Sequence, residues 1–228
     1  MAQRIDGVVL LDKPCGMTSQ SAVTSVKRLL HADKAGHTGT LDPMATGLLP
    51  ICLGEATKYS QDLLDADKKY QARLRFGIQT DTGDAQGQVI AEKSTVEVTD
   101  NAMAKSLIDG ILPQFMGEIE QVPPMYSALK RDGKPLYEYA RAGVEIERES
   151  RKITIYSITV LDVSWPEIAL EVHCSKGTYI RSIVRDFGIK CQSGAYMSEL
   201  IRTKIGDWGL DKAQEVATFN SELHEVLL

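Results

Sequence analysis

The stretch KKYQARLRF, Lys68 to Phe76, alternates along its length. Tyr70, Ala72, Leu74 and Phe76 fall on one side of an extended chain, and Lys69, Gln71, Arg73 and Arg75 on the other. Successive side chains of a strand point to opposite faces, so this spacing predicts a β-strand with one apolar and one basic face. A strand buried on one side only is the signature of an antiparallel sheet with one face covered.

The neighbouring segments extend that reading. Upstream, Glu55 to about Asp65 predicts an amphipathic helix burying Ala56, Tyr59, Leu63 and Leu64. Gly7 to Asp12 predicts a short buried strand stopped by Lys13-Pro14. The helix after it is capped by Thr18 or Ser19, with Ala22, Val23, Val26, Leu29 and Leu30 at helical spacing. Ala35 to Pro50, with three glycines and two prolines, reads as a long loop. Downstream, Thr80 to Gly87 is turn-rich, and Thr99 opens a helix through Ile111. Ile153 to Val163 and Ile168 to Cys174 are strands separated by a Trp165-Pro166 turn. Thr178 to Lys190 is a helix with Arg181 and Arg185 four apart on one face. Strands and helices mixed without strict alternation predict an α+β fold with a central mixed, mostly antiparallel sheet flanked by helices. The length favours one domain, residues 1–228, from which Glu118 to Glu147, rich in Pro, Gly, Lys and Tyr, projects as an inserted arm.

Composition narrows the function classes. The apolar run Val8 to Leu11 is too short for a signal-peptide core or a membrane span, so a cytoplasmic location is expected. Cys15, Cys52, Cys174 and Cys191 form no C-x-x-C pair, and the four histidines form no H-x-x-x-H pattern, so reduced thiols and no metal are expected. A formal net charge of -5 argues mildly against a nucleic-acid partner, yet basic residues cluster at Lys68, Lys69, Arg73 and Arg75, at Lys130, Arg131 and Lys134, at Arg148, Arg151 and Lys152, and at Arg181, Arg185, Arg202 and Lys204. Either a basic face or ordinary solvated charge fits that distribution.

The segment with chemical potential is GHTGTLDPMATG, Gly36 to Gly47. It sets a His, three Thr and an Asp among glycines that let a backbone approach a ligand closely. Asp42 precedes a proline, which leaves it off any helical surface; turn capping by its own side chain is the ordinary alternative. No phosphate-cradling glycine pattern and no G-x-S-x-G nucleophile elbow is present.

This segment resembles the catalytic motif of the TruB family of tRNA pseudouridine synthases. GVVLLDKPCGMTS from Gly7, KKYQARLRFGIQTDTGDAQG from Lys68 and CSKGTYIRS from Cys174 match that family in the same order, from about Gly7 to beyond Leu200. The resemblance implies a pseudouridine synthase fold and an isomerase that converts uridine 55 in the TΨC loop of tRNA to pseudouridine. It further implies that the target base flips out of the RNA and that an aspartate acts as nucleophile. By matching positions, Asp42 is the nucleophile, Arg181 its guanidinium partner and Tyr70 the ring that stacks on the uracil. His37, Tyr179, Leu200 and Lys58 are substrate-binding positions. From periodicity alone Tyr70 is a core aromatic on the apolar strand face, a reading the flanking match reverses; Tyr179 and Leu200 could be plain core, His37 a loop hydrogen-bonding partner, and Arg181 part of a solvated helix face. Lys13-Pro14 and TDTGDAQG match structural or RNA-facing motifs to which no chemistry is assigned.

The resemblance implies no cofactor, tRNA as partner, no membrane or protein partner, and a monomer. Bacterial members commonly continue into a C-terminal RNA-binding domain of the PUA type, and none is expected within these 228 residues. A non-catalytic tRNA-binding or folding chaperone is the competing reading, and the presence of both Asp42 and Arg181 favours the enzyme.

Overall fold

The alternation in Lys68–Phe76 appears directly in the computed structural model: residues 68, 70, 72, 74 and 76 are buried and those between them half-buried. The structure describes residues 5–93 and 98–215. In chain order the elements begin with β1 (Gly7–Lys13), α1 (Ser19–Leu29), β2 (Ala35–His37), β3 (Thr46–Leu53), α2 (Ser60–Asp65) and β4 (Lys68–Phe76). They continue with β5 (Ile78–Thr80), β6 (Val89–Glu92), α3 (Asn101–Ile111), β7 (Gly117–Gln121), β8 (Lys130–Arg131), β9 (Lys134–Pro135) and α4 (Leu136–Arg141). Last come β10 (Arg151–Ser164), β11 (Glu167–Cys174), α5 (Ile180–Lys190), β12 (Ala195–Ile205), β13 (Trp208–Gly209) and β14 (Gln214–Glu215). Mixed sheet flanked by a few helices is the α+β architecture expected from the sequence.

The residues group into two compact units, one comprising 1–71 and 200–228, the other 72–199. Strands β4 and β12 each contribute to both.

In the first unit the strand order is β14-β1-β3-β12-β4. Strand β1 pairs antiparallel with β3 along its whole length, from Gly7↔Leu53 to Lys13↔Gly47, while β14 joins β1 and β12 joins β3 in parallel. Val8, Leu10, Leu48, Cys52, Ala56 and Ile205 form a core cluster there. Helix α1 starts as expected, with the Thr18 hydroxyl accepting from Ser21 N at 3.0 Å, and buries Ala22, Val23 and Val26. Leu29, expected on the same face, is exposed in the last turn.

Two expectations are corrected here. Ala35 to Pro50 is not one loop: β2 occupies its start, and its end runs into β3, a strand buried at seven of eight positions. Gly47 and Pro50 disguised that strand, since both residues weaken a strand reading. Pro50 is accommodated because it lies beyond the last β2 pair, His37↔Ile51, and short of the β12 pairs at Thr46 and Gly47. Its carbonyl accepts from Thr38 N at 3.1 Å. The helix expected over Glu55–Asp65 is a 3-10 segment, Gly54–Tyr59, followed by the short α2. Three residues per turn rather than 3.6 rotates the register, so Tyr59 is 66% exposed instead of buried.

In the second unit the order is β12-β4-β11-β10-β7, antiparallel where β10 meets β11 and β7. The β10–β11 hairpin turns at Trp165 and Pro166, joined by a cis peptide, and Trp165 stacks on Phe76 at 5.1 Å. Helix α5 lays Phe187 on Phe115 at 4.1 Å. The expected arm, Glu118 to Glu147, begins as β7, forms the β8–β9 hairpin through Asp132 and Gly133 at positive φ, and then carries α4. Two successive residues at positive φ are the mirror-image turn that fits the twist of paired strands.

The basic face expected on β4 is not a bare one. Lys68 lies on the buried side, its Nζ donating to Leu64 O and Ala66 O at 2.6 Å, where it caps the carbonyls at the end of α2. Arg73 faces Asp162, Glu167 and Glu199 at 3.5–4.0 Å, and Arg75 pairs with Glu167 at 3.1 Å. Acids from β10, β11 and β12 therefore offset this cluster, a pairing across sequence distance that no local window reveals. Cys52, Cys174 and Cys191 are buried and Cys15 is exposed, all as free thiols; burial pushes the Cys191 thiol up to about 11. Among the described residues no helix is long and apolar enough to cross a membrane.

Candidate active site

The first unit holds the segment Gly36 to Gly47 as a return between two paired strands. Pairing of β2 with β3 from Ala35↔Leu53 to His37↔Ile51 fixes its start, and pairing of Gly47 with Lys13 and Arg202 fixes its end. Between them the backbone is pinned residue by residue. Ser19, buried at the start of α1, accepts from Leu41 N at 2.8 Å and donates to Leu41 O at 3.0 Å. Pro43 O accepts from Gly16 N at 2.8 Å and from Lys13 Nζ at 3.4 Å. Ala45 N donates to Asp42 O at 3.0 Å, closing a turn with proline at its second position. Asp42 is half-buried at this turn, with both flanking peptides anchored.

Two buried cations support the segment, Lys13 from a motif expected to be structural or RNA-facing and Arg202 from one of the basic clusters. Lys13 is fully buried at the end of β1 and donates to Met17 O at 2.7 Å and Pro14 O at 2.9 Å besides Pro43 O. Burial lowers its pKa and Arg202 acts in the same direction, while Cys15 and Asp42 act in the opposite one. Attraction between Lys13 and Asp42 is mutual, so the ammonium favours the ionised aspartate. Arg202, 1% exposed on β12, donates from Nε to Leu48 O at 2.8 Å and from Nη2 to Gly39 O at 3.1 Å. The β12–β3 pairing Arg202↔Gly47 delivers it. Gly47 is at φ +99, and a Cβ there would stand 2.4 Å from Arg202 O, so only glycine lets the two strands approach. A signal for Lys13 was present, a lysine ending the otherwise buried run VVLLDK; Arg202 had none beyond its charge.

His37 is tied to the same cation. Its Nδ1 accepts from Gly39 N at 3.3 Å while Gly39 O accepts from Arg202, which leaves the ring proton on Nε2. Burial first, and then the Arg202 charge, lower its pKa below 6.5. The hydrogen bond weighed as an alternative role for His37 is thus real, and it presents a neutral imidazole with a donor at Nε2. Between the folded and unfolded pKa values the unfolded chain binds the extra proton. The stabilisation linked to His37 is therefore whole above pH 6.5 and is lost as pH falls below it. An NMR titration of the His37 ring is expected to show its midpoint below 6.5; a midpoint at or above that value would contradict the electrostatics.

Of the other expected residues in this unit, Tyr70 sits on the buried face of β4 and Leu200 is buried on β12. Lys58 is exposed on the 3-10 segment and paired with Glu55, the least enclosed of the set.

Tyr179 and Arg181 belong to the second unit. Arg181 is not on a solvated helix face: it is 5% exposed. Its Nη1 donates to Thr82 O at 3.1 Å, its Nη2 to Tyr126 O at 2.8 Å, and its Nε lies 3.7 Å from Asp84 Oδ2. Asp84 is in turn fixed by the Thr82 hydroxyl at 2.7 Å and Gln86 N at 3.0 Å. TDTGDAQG, to which no chemistry was assigned, is therefore the cradle of this guanidinium. Tyr179 is half-buried, extended, and immediately precedes α5.

A model of the TruB family pseudouridylate synthase N-terminal domain matches residues 27–180. Among curated proteins, tRNA pseudouridine synthase B of Aromatoleum aromaticum is 58% identical over 92% of this chain and 66% of its own length. The protein of the same name from Azoarcus sp. is 57% identical over 92% of this chain and 68% of its own length. A chain in the crystal structure of a Cbf5-Nop10-Gar1 complex superimposes with a TM-score of 0.70 at 33% identity, covering 92% of this chain and 52% of that one. The chain thus spans about two thirds of the length of these curated relatives.

Proposed function

We propose that this chain, which belongs to the TruB family of pseudouridylate synthases, isomerises uridine 55 of tRNA to pseudouridine with Asp42 as nucleophile. The observation that carries the reading is the anchored turn at Asp42. A half-buried carboxylate is held by bonds at Leu41 and Pro43 on either side, with the Lys13 ammonium favouring its ionised form. A nucleophile fixed in place before the substrate arrives removes reorganisation from the reaction.

In the reaction the N1–C1′ bond of the target nucleotide breaks and a C5–C1′ bond forms. The proton on C5 leaves, N1 gains one, and no atom is added or lost overall. Asp42 forms a covalent bond to the nucleotide while the uracil turns, then departs as the carboxylate. Tyr70 stacks on the turning base, because a ring face supports rotation where directed hydrogen bonds would resist it. His37 offers its Nε2 proton to the flipped nucleotide, and Tyr179, Leu200 and Lys58 complete the substrate contacts. Arg181, whose planar fork suits a carboxylate, takes the role of partner to the nucleophile that its motif implies. No cofactor takes part; the arm at 118–147 grips the TΨC stem-loop, and the protein acts as a cytoplasmic monomer on tRNA alone.

The test is to incubate the chain with an unmodified tRNA transcript and map pseudouridine. Product at position 55, and none in a transcript carrying cytidine there, is expected. Tight binding without product would instead favour a non-catalytic tRNA chaperone.

A further inference from the structure

We propose that Gln121 is a positioning residue for this reaction, setting Tyr179 and Arg181 through the main chain at the start of α5; the inference rests on the reading of the site given above. Gln121 ends β7 and is 2% exposed. Its Oε1 accepts from Tyr179 N at 2.8 Å, and its Nε2 donates to Tyr179 O at 3.1 Å. Those two bonds close a ring, so a side-chain amide holds the Tyr179 peptide groups much as a neighbouring strand holds one of its own residues.

Tyr179 is the residue from which α5 hangs. It is extended, at φ -101 and ψ 110, no side chain caps the helix there, and its carbonyl also accepts from Ser182 N at 3.1 Å and Ile183 N at 3.2 Å. Gln121 thus grips the residue that launches the helix, two positions before Arg181. The residues after Gln121 strengthen the hold. Val122 O accepts from the Ser182 hydroxyl at 2.8 Å, and Tyr126 O from Arg181 Nη2 at 2.8 Å. The root of the arm and α5 are therefore joined by Gln121 on the strand and by Arg181, Ser182 and, at 3.4 Å, Arg185 on the helix.

Packing alone does not account for a glutamine here. A leucine fills a similar volume without burying an amide, and a buried amide is tolerated only when its donor and acceptor are both used. Both are used, and both on Tyr179. The Tyr179 ring lies 6.0 Å from the Arg151 guanidinium, so the peptide that Gln121 fixes also sets where that ring is presented.

The test uses the whole chain and a tRNA transcript, with single-turnover rate and tRNA affinity measured separately. Gln121→Leu removes both bonds and keeps the volume. Its rate is expected to fall about a hundredfold, the scale on which small misplacements act. Its tRNA affinity should stay within about threefold and its circular dichroism should stay native. Gln121→Glu supplies the readout that a purely structural role does not move. Its carboxylate still accepts from Tyr179 N but sets a charge against Tyr179 O; the protonated carboxyl restores a donor there. The ratio of its rate to wild type should therefore rise as pH falls from about 8 to about 5.5, while the same ratio for Gln121→Leu stays flat.

A Gln121→Leu rate within about threefold of wild type, or a flat ratio for Gln121→Glu, overturns the proposal. The Gln121→Glu ratio alone decides it if Gln121→Leu does not fold. A wild-type chain that forms no pseudouridine defeats the reading of the site itself; normal wild-type product beside an unaffected Gln121→Leu defeats only the positioning role.

Discussion

Asp42→Asn is expected to abolish pseudouridine formation while tRNA affinity changes by no more than about tenfold, or about 1.4 kcal/mol. Asparagine keeps the size of the side chain and much of its hydrogen bonding. It removes the charge and the nucleophilic oxygen that the covalent step requires. The surrounding backbone has anchors of its own: Leu41 is held by Ser19, and Pro43 by Gly16 and Lys13. Lys13 loses one favourable charge but keeps three carbonyl acceptors. The loss should therefore appear in turnover and not in folding, with circular dichroism as the control. Product formation is measured with enzyme in excess over tRNA, and binding separately on the same transcript. Turnover near the wild-type rate would remove Asp42 from the role of nucleophile and take the mechanism with it.

The second large effect is expected of Arg181→Lys, a single-turnover rate lower by about a hundredfold or more, roughly 2.7 kcal/mol of barrier. Arg181 spreads its contacts over a planar fork, with Nη1 on Thr82 O, Nη2 on Tyr126 O and Nε beside Asp84. An ammonium keeps the charge but has one nitrogen on a flexible stem, so it cannot reproduce three directions at once. At 5% exposure no water readily completes the missing bonds. A variant that retains turnover within about threefold would show that charge alone suffices and that the fork is dispensable.

Much of this was open to local reading. The alternation at Lys68–Phe76, the Thr18 cap, the hairpin at Trp165-Pro166 and the helix from Ile180 are each governed by residues within a few positions of one another. Periodicity and capping act over such spans, so the α+β class followed from them. Elements whose stability comes from distant partners were misread. Strand β3 looked like loop because Gly47 and Pro50 are poor strand residues by themselves; β1 and β12 on either side make it the most buried strand of its unit. Tyr59 was misplaced because a 3-10 turn and an α-helix read alike in so short a segment.

The site divides in the same way. By motif, the sequence by itself marked out Asp42, His37, Tyr70, Tyr179, Leu200, Lys58 and Arg181, since the order and wording of four segments match one family. Only the tertiary structure decided how those residues are held. Lys13 and Arg202 are buried beneath the Asp42 segment, TDTGDAQG encloses Arg181, and Gln121 clasps Tyr179 across 58 residues of chain. The basic face foreseen on β4 is likewise offset by Asp162, Glu167 and Glu199 from later strands. The physical reason is common to all of these. A buried charge or amide is tolerable only where other parts of the chain bring it carbonyls, hydroxyls or counter-charges, and which parts meet is set by strand pairing, not by neighbours in sequence.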